Sequence, residues 1–306
     1  MAHGGGNKAI IAALAANLGI AITKFVAYLL THSSSMLAES VHSLADSGNQ
    51  LLLLLGGRRA RREATEEHPF GYGRARYVYA FLVSIILFSL GGLFALYEAY
   101  HKWHDPHPIE SWHWVPVVVL VAAIVMEGFS FRTAVHESNA VRGKRSWWQF
   151  IRSAKAPELP VVLLEDAGAL IGLVLALGGV GMTLATGNGL WDAAGTASIG
   201  VLLIVIAIVL GLEIKSLLLG ESATPENVEA VRGALVGEGV ESVIHLRTMH
   251  LGPEEILVAA KIEVAAIETA AEVAHAIDAA EVRVRAALPG LKATIYLEPD
   301  LRRVAR

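Results

Sequence analysis

Long apolar runs, broken by short polar stretches, occupy the first two thirds of the chain. Six of them reach the about 20 residues that a bilayer core demands: Ala9 to Leu30, Ser35 to Gly57, Tyr77 to Tyr100, Trp114 to Val135, Pro160 to Leu184 and Ala193 to Leu217. The second and fifth are the least apolar and carry acids, as segments that line a site rather than face lipid would. After about Gly220 the pattern changes. Thr224-Pro225-Glu226 opens a helix that runs to about Val236, with proline in its first turn. Ser242 to His250 and Ile256 to Val264 alternate in part and are rich in β-branched residues, as strands are. Ile267 to Leu288 is alanine-rich and helical, closed by Pro289-Gly290, and Ala293 to Leu297 reads as a last strand. The order α-β-β-α-β suits helices on one face of a three-stranded sheet. The expected fold is an α-helical polytopic membrane protein with six transmembrane helices over residues 1–219, followed by a small cytoplasmic α+β domain over 220–306.

The second segment carries the chemistry. Glu39, His42, Asp46 and Asn49 interrupt it at offsets of three, four and three. Residues three and four apart stack on one face of a helix, so the four form one stripe. Two carboxylates and an imidazole are costly in hydrocarbon and must face the inside of a bundle. There they are suited to a divalent cation and to protons, since imidazole and carboxylate are ligands of zinc and its neighbours. The competing reading is a polar seam that joins helices by hydrogen bonds. Three ionisable groups in register favour a functional role over the seam.

Composition narrows the choice. Of 306 residues 54% are hydrophobic and 18% charged, and the mean hydropathy is +0.50. A soluble domain is less apolar and more charged. The net charge of −4 gives no sign of nucleic-acid binding, and with no cysteine any metal must be held by oxygen and imidazole nitrogen. Residues Met1 to Lys8 lack the features of a cleaved signal peptide, so the first span is expected to be retained.

Basic residues fall in alternate loops. Arg58, Arg59, Arg61, Arg62, Arg74 and Arg76 lie between spans two and three, and Arg142, Lys144, Arg145, Arg152 and Lys155 between four and five. The loops after spans one and five have none, and that after span three has only Lys102. The positive-inside rule then places both termini in the cytoplasm, in the plasma (inner) membrane if the source is prokaryotic. Trp103, Trp112 and Trp114 mark the outer interface, Trp147 and Trp148 the inner one.

Span five adds Glu165 and Asp166. Adjacent residues project about 100° apart, so one faces the site and the other a neighbour or the water boundary, with Asp166 preferred for the site. Lys24 is read as snorkelling to the interface, with a counter-ion role as the alternative, and Asp192 as interfacial. Glu127, near Ser130 and Arg132, is open between site and polar packing. Glu66-Glu67-His68 in the basic loop is either solvated or a shallow metal site. Neither a His-Glu-x-x-His motif nor a phosphate-binding Gly-Lys-Ser/Thr loop is present, and Gly71-Tyr72-Gly73 is too short to be a nucleotide motif. The chain is not expected to be an enzyme.

The segments Ser33 to Asp46 and His68 to Arg74 resemble those of the cation diffusion facilitators, proton-coupled transporters of divalent metals. The linker Trp147 to Arg152 and the run Pro157 to Asp166 resemble the zinc-transporter-nine branch of that family. The resemblance covers nearly the whole chain and implies six spans, a cytoplasmic metallochaperone-like domain, and a homodimer formed through both parts. It implies that His42 and Asp46 bind the transported ion with Asp166. The histidine usual four residues before that acid falls on Val162, so the site lacks a ligand that Glu165 or Glu39 would supply. That favours ions that accept oxygen, such as Mn²⁺. The family's loop site maps onto Glu66 or Glu67 and His68. Its cytoplasmic zinc ligands are not matched, since Tyr296 and Glu298 stand at those positions. The function implied is efflux of a divalent cation, Zn²⁺ first, with Mn²⁺, Fe²⁺ or Co²⁺ as alternatives, in exchange for protons. A metal sensor or assembly protein that does not transport is the alternative from another class.

Overall fold

The structure is a computed structural model, which describes residues 3–106, 109, 112–265 and 269–301, with side chains from residue 17 onward. It falls into two compact units. One comprises residues 1–56, 79–152 and 157–214, the other 57–78, 153–156 and 215–306.

The first unit is helical. Its helices are α1 (His3–Thr31), α2 (Ser34–Ala60), α3 (Ala75–His104), α4 (Trp114–Arg142), the short α5 (Trp147–Ser153), α6 (Glu158–Thr186) and α7 (Leu190–Leu219). Among the described residues, α3, α4, α6 and α7 are long and apolar enough to cross a membrane, and α1 has an apolar stretch over Asn17–Thr31. α2 has the length but not the composition, because its polar stripe stands where apolar side chains would be. Within α3 the residues Leu87–Leu93 adopt π-helical geometry. α4 packs along α6 and against α1.

α6 and α7 come into backbone contact where two glycines meet. A Cβ on Gly179 would lie 2.8 Å from the Trp191 carbonyl oxygen and 3.3 Å from Gly195 Cα, and one on Gly195 would lie 3.1 Å from the Leu175 carbonyl oxygen. Nearer the middle of α6 the contact is made by side chains, since a Cβ on Gly168 would meet Ile206 Cδ1.

Two charged groups expected near the membrane interface are buried in the protein. Asp192 is fully buried. Its carboxylate accepts from the Ser34 amide (2.8 Å), the Ser33 hydroxyl (3.0 Å), the Ser34 hydroxyl (3.2 Å) and the Ser35 amide (3.3 Å). The free amides at the start of α2 are thus capped by an acid that itself sits in the first turn of α7, so two helix dipoles favour its charge. Lys24 does not snorkel. It is 1% exposed and paired with Glu39.

The second unit has a sheet of order β1-β2-β3, made of β1 (Ser242–Gly252), β2 (Glu255–Glu263) and β3 (Lys292–Asp300). β1 and β2 form an antiparallel hairpin, and β3 runs parallel to β2. A parallel neighbour needs a crossover, which α9 (Ala270–Ala287) supplies, while α8 (Pro225–Leu235) precedes the sheet. Ile267 and Glu268, where the helix was expected to begin, lie outside the described residues, and its capping box is at Thr269 and Glu272. Thr224 caps α8 by accepting from the Asn227 amide. The core sets Val231 and Leu235 of α8, and Ala280 and Val284 of α9, against Ile256, Val258 and Ile262 of β2.

The basic loop 57–78 belongs to this unit and is seated on the hairpin. A Cβ on Gly73 would lie 2.8 Å from the Leu251 carbonyl oxygen, and one on Gly252 2.9 Å from Gly73 Cα. The Gly71-Tyr72-Gly73 segment therefore serves a backbone contact.

Beside it, Lys155 pairs with Glu221, whose carbonyl accepts from the His250 amide at 2.8 Å. Burial raises the Glu221 pKa, but hydrogen bonds from Lys155 and Ser216 outweigh it and hold the group below the ordinary value. His250 is buried with Nδ1 3.1 Å from the Gly252 carbonyl oxygen. Burial, opposed by that bond, holds its pKa below 6.5, with Lys155 lowering it further and Glu221 raising it. A lowered histidine pKa means that the unfolded chain takes up the proton first as pH falls. Stability is therefore full above 6.5 and drains away below it. Protection of the β1 amides from hydrogen exchange, corrected for the intrinsic rate, is expected to fall between about pH 7 and 5, and His250→Gln should flatten that profile.

Candidate functional site

The stripe on α2 is buried on the inside of the first unit. Glu39 and Asn49 are fully buried and His42 is 1% exposed, and the Asp46 side chain retains 13%. Glu39 Oε1, both ring nitrogens of His42, Asp46 Oδ1 and Asn49 Oδ1 have no hydrogen-bond partner. Buried polar atoms are ordinarily satisfied, and each one left over costs about 1–3 kcal/mol. A polar seam would close these bonds. Here lone pairs follow one another along three turns of helix, with His42 Nε2 3.6 Å from Asp46 Oδ2.

From α6, Glu165 turns to the stripe and accepts from Asn49 Nδ2 at 2.6 Å, while Asp166 turns to α4 and accepts from Ser130 at 2.8 Å. The two acids thus point to different partners, as their angular separation requires. Yet both line one cavity of ≈ 310 Å³, together with Asp46, Glu127, Ser130 and Val162. It reaches the acids and ends short of His42. Among the described residues, no three His, Asp or Glu side chains stand close enough together to hold an ion as they are.

Glu127 is the residue that sequence reading left undecided and the geometry brings in. Its signal was Ser130 one turn on, the partner of Asp166. Val162 lines the cavity with a hydrocarbon face where a histidine would add a ligand. Glu39 is engaged by Lys24, whose Nζ lies 3.0 Å from Oε2.

The loop residues lie elsewhere. Glu66 and His68 are exposed, and the His68 ring stacks on Tyr72 at 4.5 Å between centroids. In the last strand Tyr296 is exposed, and Glu298 and Asp300 share the Lys261 ammonium at 3.1 and 2.9 Å.

Residues 10–219 match the family profile of the cation efflux transmembrane domain. The chain is 31% identical over 263 residues, 85% of its length, to the mitochondrial proton-coupled zinc antiporter SLC30A9 of Xenopus laevis. It is 32% identical over 243 residues, 79% of its length, to the protein of that name from Homo sapiens. It spans 47% and 43% of those two relatives. With the cation-efflux pump FieF of Pectobacterium atrosepticum it shares 28% identity over 296 residues, 95% of this chain and 92% of the other. The acid-lined cavity beside a stripe of unpartnered ligand atoms therefore sits inside the matched domain, and the chain belongs to the cation efflux family of integral membrane transporters, resembling its zinc-transporter-nine-like branch.

Proposed function

We propose that the chain is a proton-coupled antiporter that carries a divalent transition-metal cation out of the cytoplasm by alternating access, as a homodimer with six spans and both termini cytoplasmic. Zn²⁺ is the first candidate cargo. The observation that carries this reading is the run of unpartnered ligand atoms on α2, Glu39 to Asn49, beside a cavity lined by acids. His42 and Asp46 bind the ion with Glu165 or Asp166. The names of the two antiporters support the choice of zinc and of protons.

Metal ligands must be a neutral imidazole and ionised carboxylates, so protons compete with metal at the same atoms. An unperturbed imidazole titrates near ~6.5, within reach of physiological pH. Opening to a proton-rich side then protonates the site and releases the ion, and the protonated protein returns inward. The loop pair Glu66 and His68 would at most bind an ion shallowly. The cytoplasmic unit dimerises without metal, its acids Glu298 and Asp300 being taken by Lys261.

One observation favours a second cargo. With Val162 lining the cavity, oxygen outweighs nitrogen among the ligands, which suits Mn²⁺, Fe²⁺ or Co²⁺ better than a histidine-rich site would.

Uptake into proteoliposomes under an imposed pH gradient tests both. Zn²⁺ flux is expected, lost with Asp166→Asn if the family arrangement holds and with Glu165→Gln if the site has been rebuilt around the acid nearer Asn49. Faster Mn²⁺ flux would change the cargo. Binding with no gradient-dependent flux of any metal would make the protein a sensor.

A further inference from the structure

The transport scheme leaves Lys24 unused. Its ammonium is 1% exposed and donates to Glu39 Oε2 at 3.0 Å and to the Ser43 hydroxyl at 2.8 Å. The four-carbon stem of a lysine can carry its charge toward an interface, yet here it carries it to the stripe. Glu39 is fully buried, and its second oxygen, Oε1, has no partner and lies against α6, where a Cβ on Gly172 would stand 3.1 Å away. The pair sits one turn before His42, toward the N-terminal end of α2, and the cavity, lined by the Ser43 to which Lys24 donates, meets the stripe one turn beyond His42, at Asp46. Along the stripe the order is a tethered cation at Glu39, the imidazole at His42, and acids at Asp46 and Glu165.

We propose that Lys24 is a resident cation of the transport path. It holds Glu39 as its own counter-ion, keeping that carboxylate out of the cargo's ligand set. It also cancels the field of Glu39 at His42, so that a divalent ion is not bound too tightly to leave. This rests on the transport reading above. A fixed positive charge beside a divalent ion raises the ion's energy, and a fixed negative charge lowers it. The matched pair nearly cancels, so its halves have effects of opposite sign. A lysine that only filled space or joined helices would give no such signature.

The test compares initial Zn²⁺ flux against concentration in proteoliposomes for Lys24→Met, Glu39→Gln and the double variant. Lys24→Met, which leaves Glu39 uncompensated, is expected to lower KM by about tenfold and to lower the maximal rate, because release slows. Glu39→Gln should raise KM by about tenfold, and the double variant should return it to within about threefold of wild type. Lys24→Arg keeps the charge and should keep the wild-type KM. A double variant whose KM stays as high as that of Glu39→Gln would make Glu39 a cargo ligand and overturn the proposal. So would an unchanged KM in all three alongside lowered thermal stability, which is the mark of a structural pair. If a single variant fails to fold, Zn²⁺ titration of the double variant decides, since a tenfold weaker Kd than wild type overturns the proposal and an equal one supports it. Absence of flux in the wild type would sink the transport reading, while the same Zn²⁺ titrations would still test the opposite shifts assigned to Lys24 and Glu39.

Discussion

Replacing His42 or Asp46 with alanine is expected to abolish the proposed proton-driven metal uptake while leaving the protein folded. Both nitrogens of His42 lack a hydrogen-bond partner, so losing the ring breaks no hydrogen bond within the protein and only the 3.6 Å contact with Asp46. The expected cost is lost packing beside Gly91, whose added Cβ would lie 3.7 Å from Nδ1, and is on the order of 1–2 kcal/mol. Asp46 Oδ1 is likewise unpartnered, and Asp46→Ala removes a side-chain hydrogen bond with Glu165 and the contact with His42. Flux, by contrast, should drop by a hundredfold or more, since even groups that only orient a ligand contribute about 10–100-fold. The two quantities thus separate the functional stripe from a polar seam. In a seam, the alanine variants would lose stability first and activity only in proportion. Flux in proteoliposomes, together with the thermal midpoint in detergent, checks this, and near-normal flux in either variant would end the assignment.

Asp192→Ala should do the reverse, with its main effect on stability. The carboxylate accepts from two backbone amides and two hydroxyls at the start of α2, and the Lys102 ammonium attracts it through space. Removing it leaves those amides without a cap and deprives two helix N-termini of a favourable charge. Hydrogen bonds to a charged group contribute about 1.5–3 kcal/mol each. A loss on the order of 3 kcal/mol or more is therefore expected, after partial rescue by Thr196, which bonds the Ser34 and Ser35 hydroxyls. At about 2–4 °C per kcal/mol for a chain of this size, the midpoint should drop by roughly 6–12 °C. Asp192→Asn keeps an acceptor but not the charge and should fall between. A midpoint within about 2 °C of wild type for Asp192→Ala would show that α2 is held by other means.

These two residues also mark what the sequence could and could not reveal. The stripe was legible because it is local, with spacings of three and four that belong to a single helix. The C-terminal elements were legible for the same reason, since period, caps and β-branching act over a few residues. Asp192 was not, because its partners are more than 150 residues away and an acid near a span end looks interfacial whatever lies across from it. Lys24 posed a choice of direction, which only the presence of Glu39 on the adjoining helix decides. For Glu165 and Asp166 the angular offset was readable, but not that one cavity would be wide enough to reach both. The glycines of loop 57–78 gave no sign of their role, because a close backbone contact leaves no side-chain pattern.

The meeting of Gly179 and Gly195 has a mechanical side. Backbone against backbone cannot yield, whereas the side-chain contact at Gly168 and Ile206 can adjust by rotamer. If α6 tilts, the glycine crossing would be its fulcrum and the half that carries Glu165 its lever arm. From Gly179 to Glu165 the arm measures about 21 Å at 1.5 Å per residue, so a tilt of about 5° carries the carboxylate through roughly 2 Å. Movement on that scale is enough to make or break a ligand bond, with the helix itself staying intact and its pivot still.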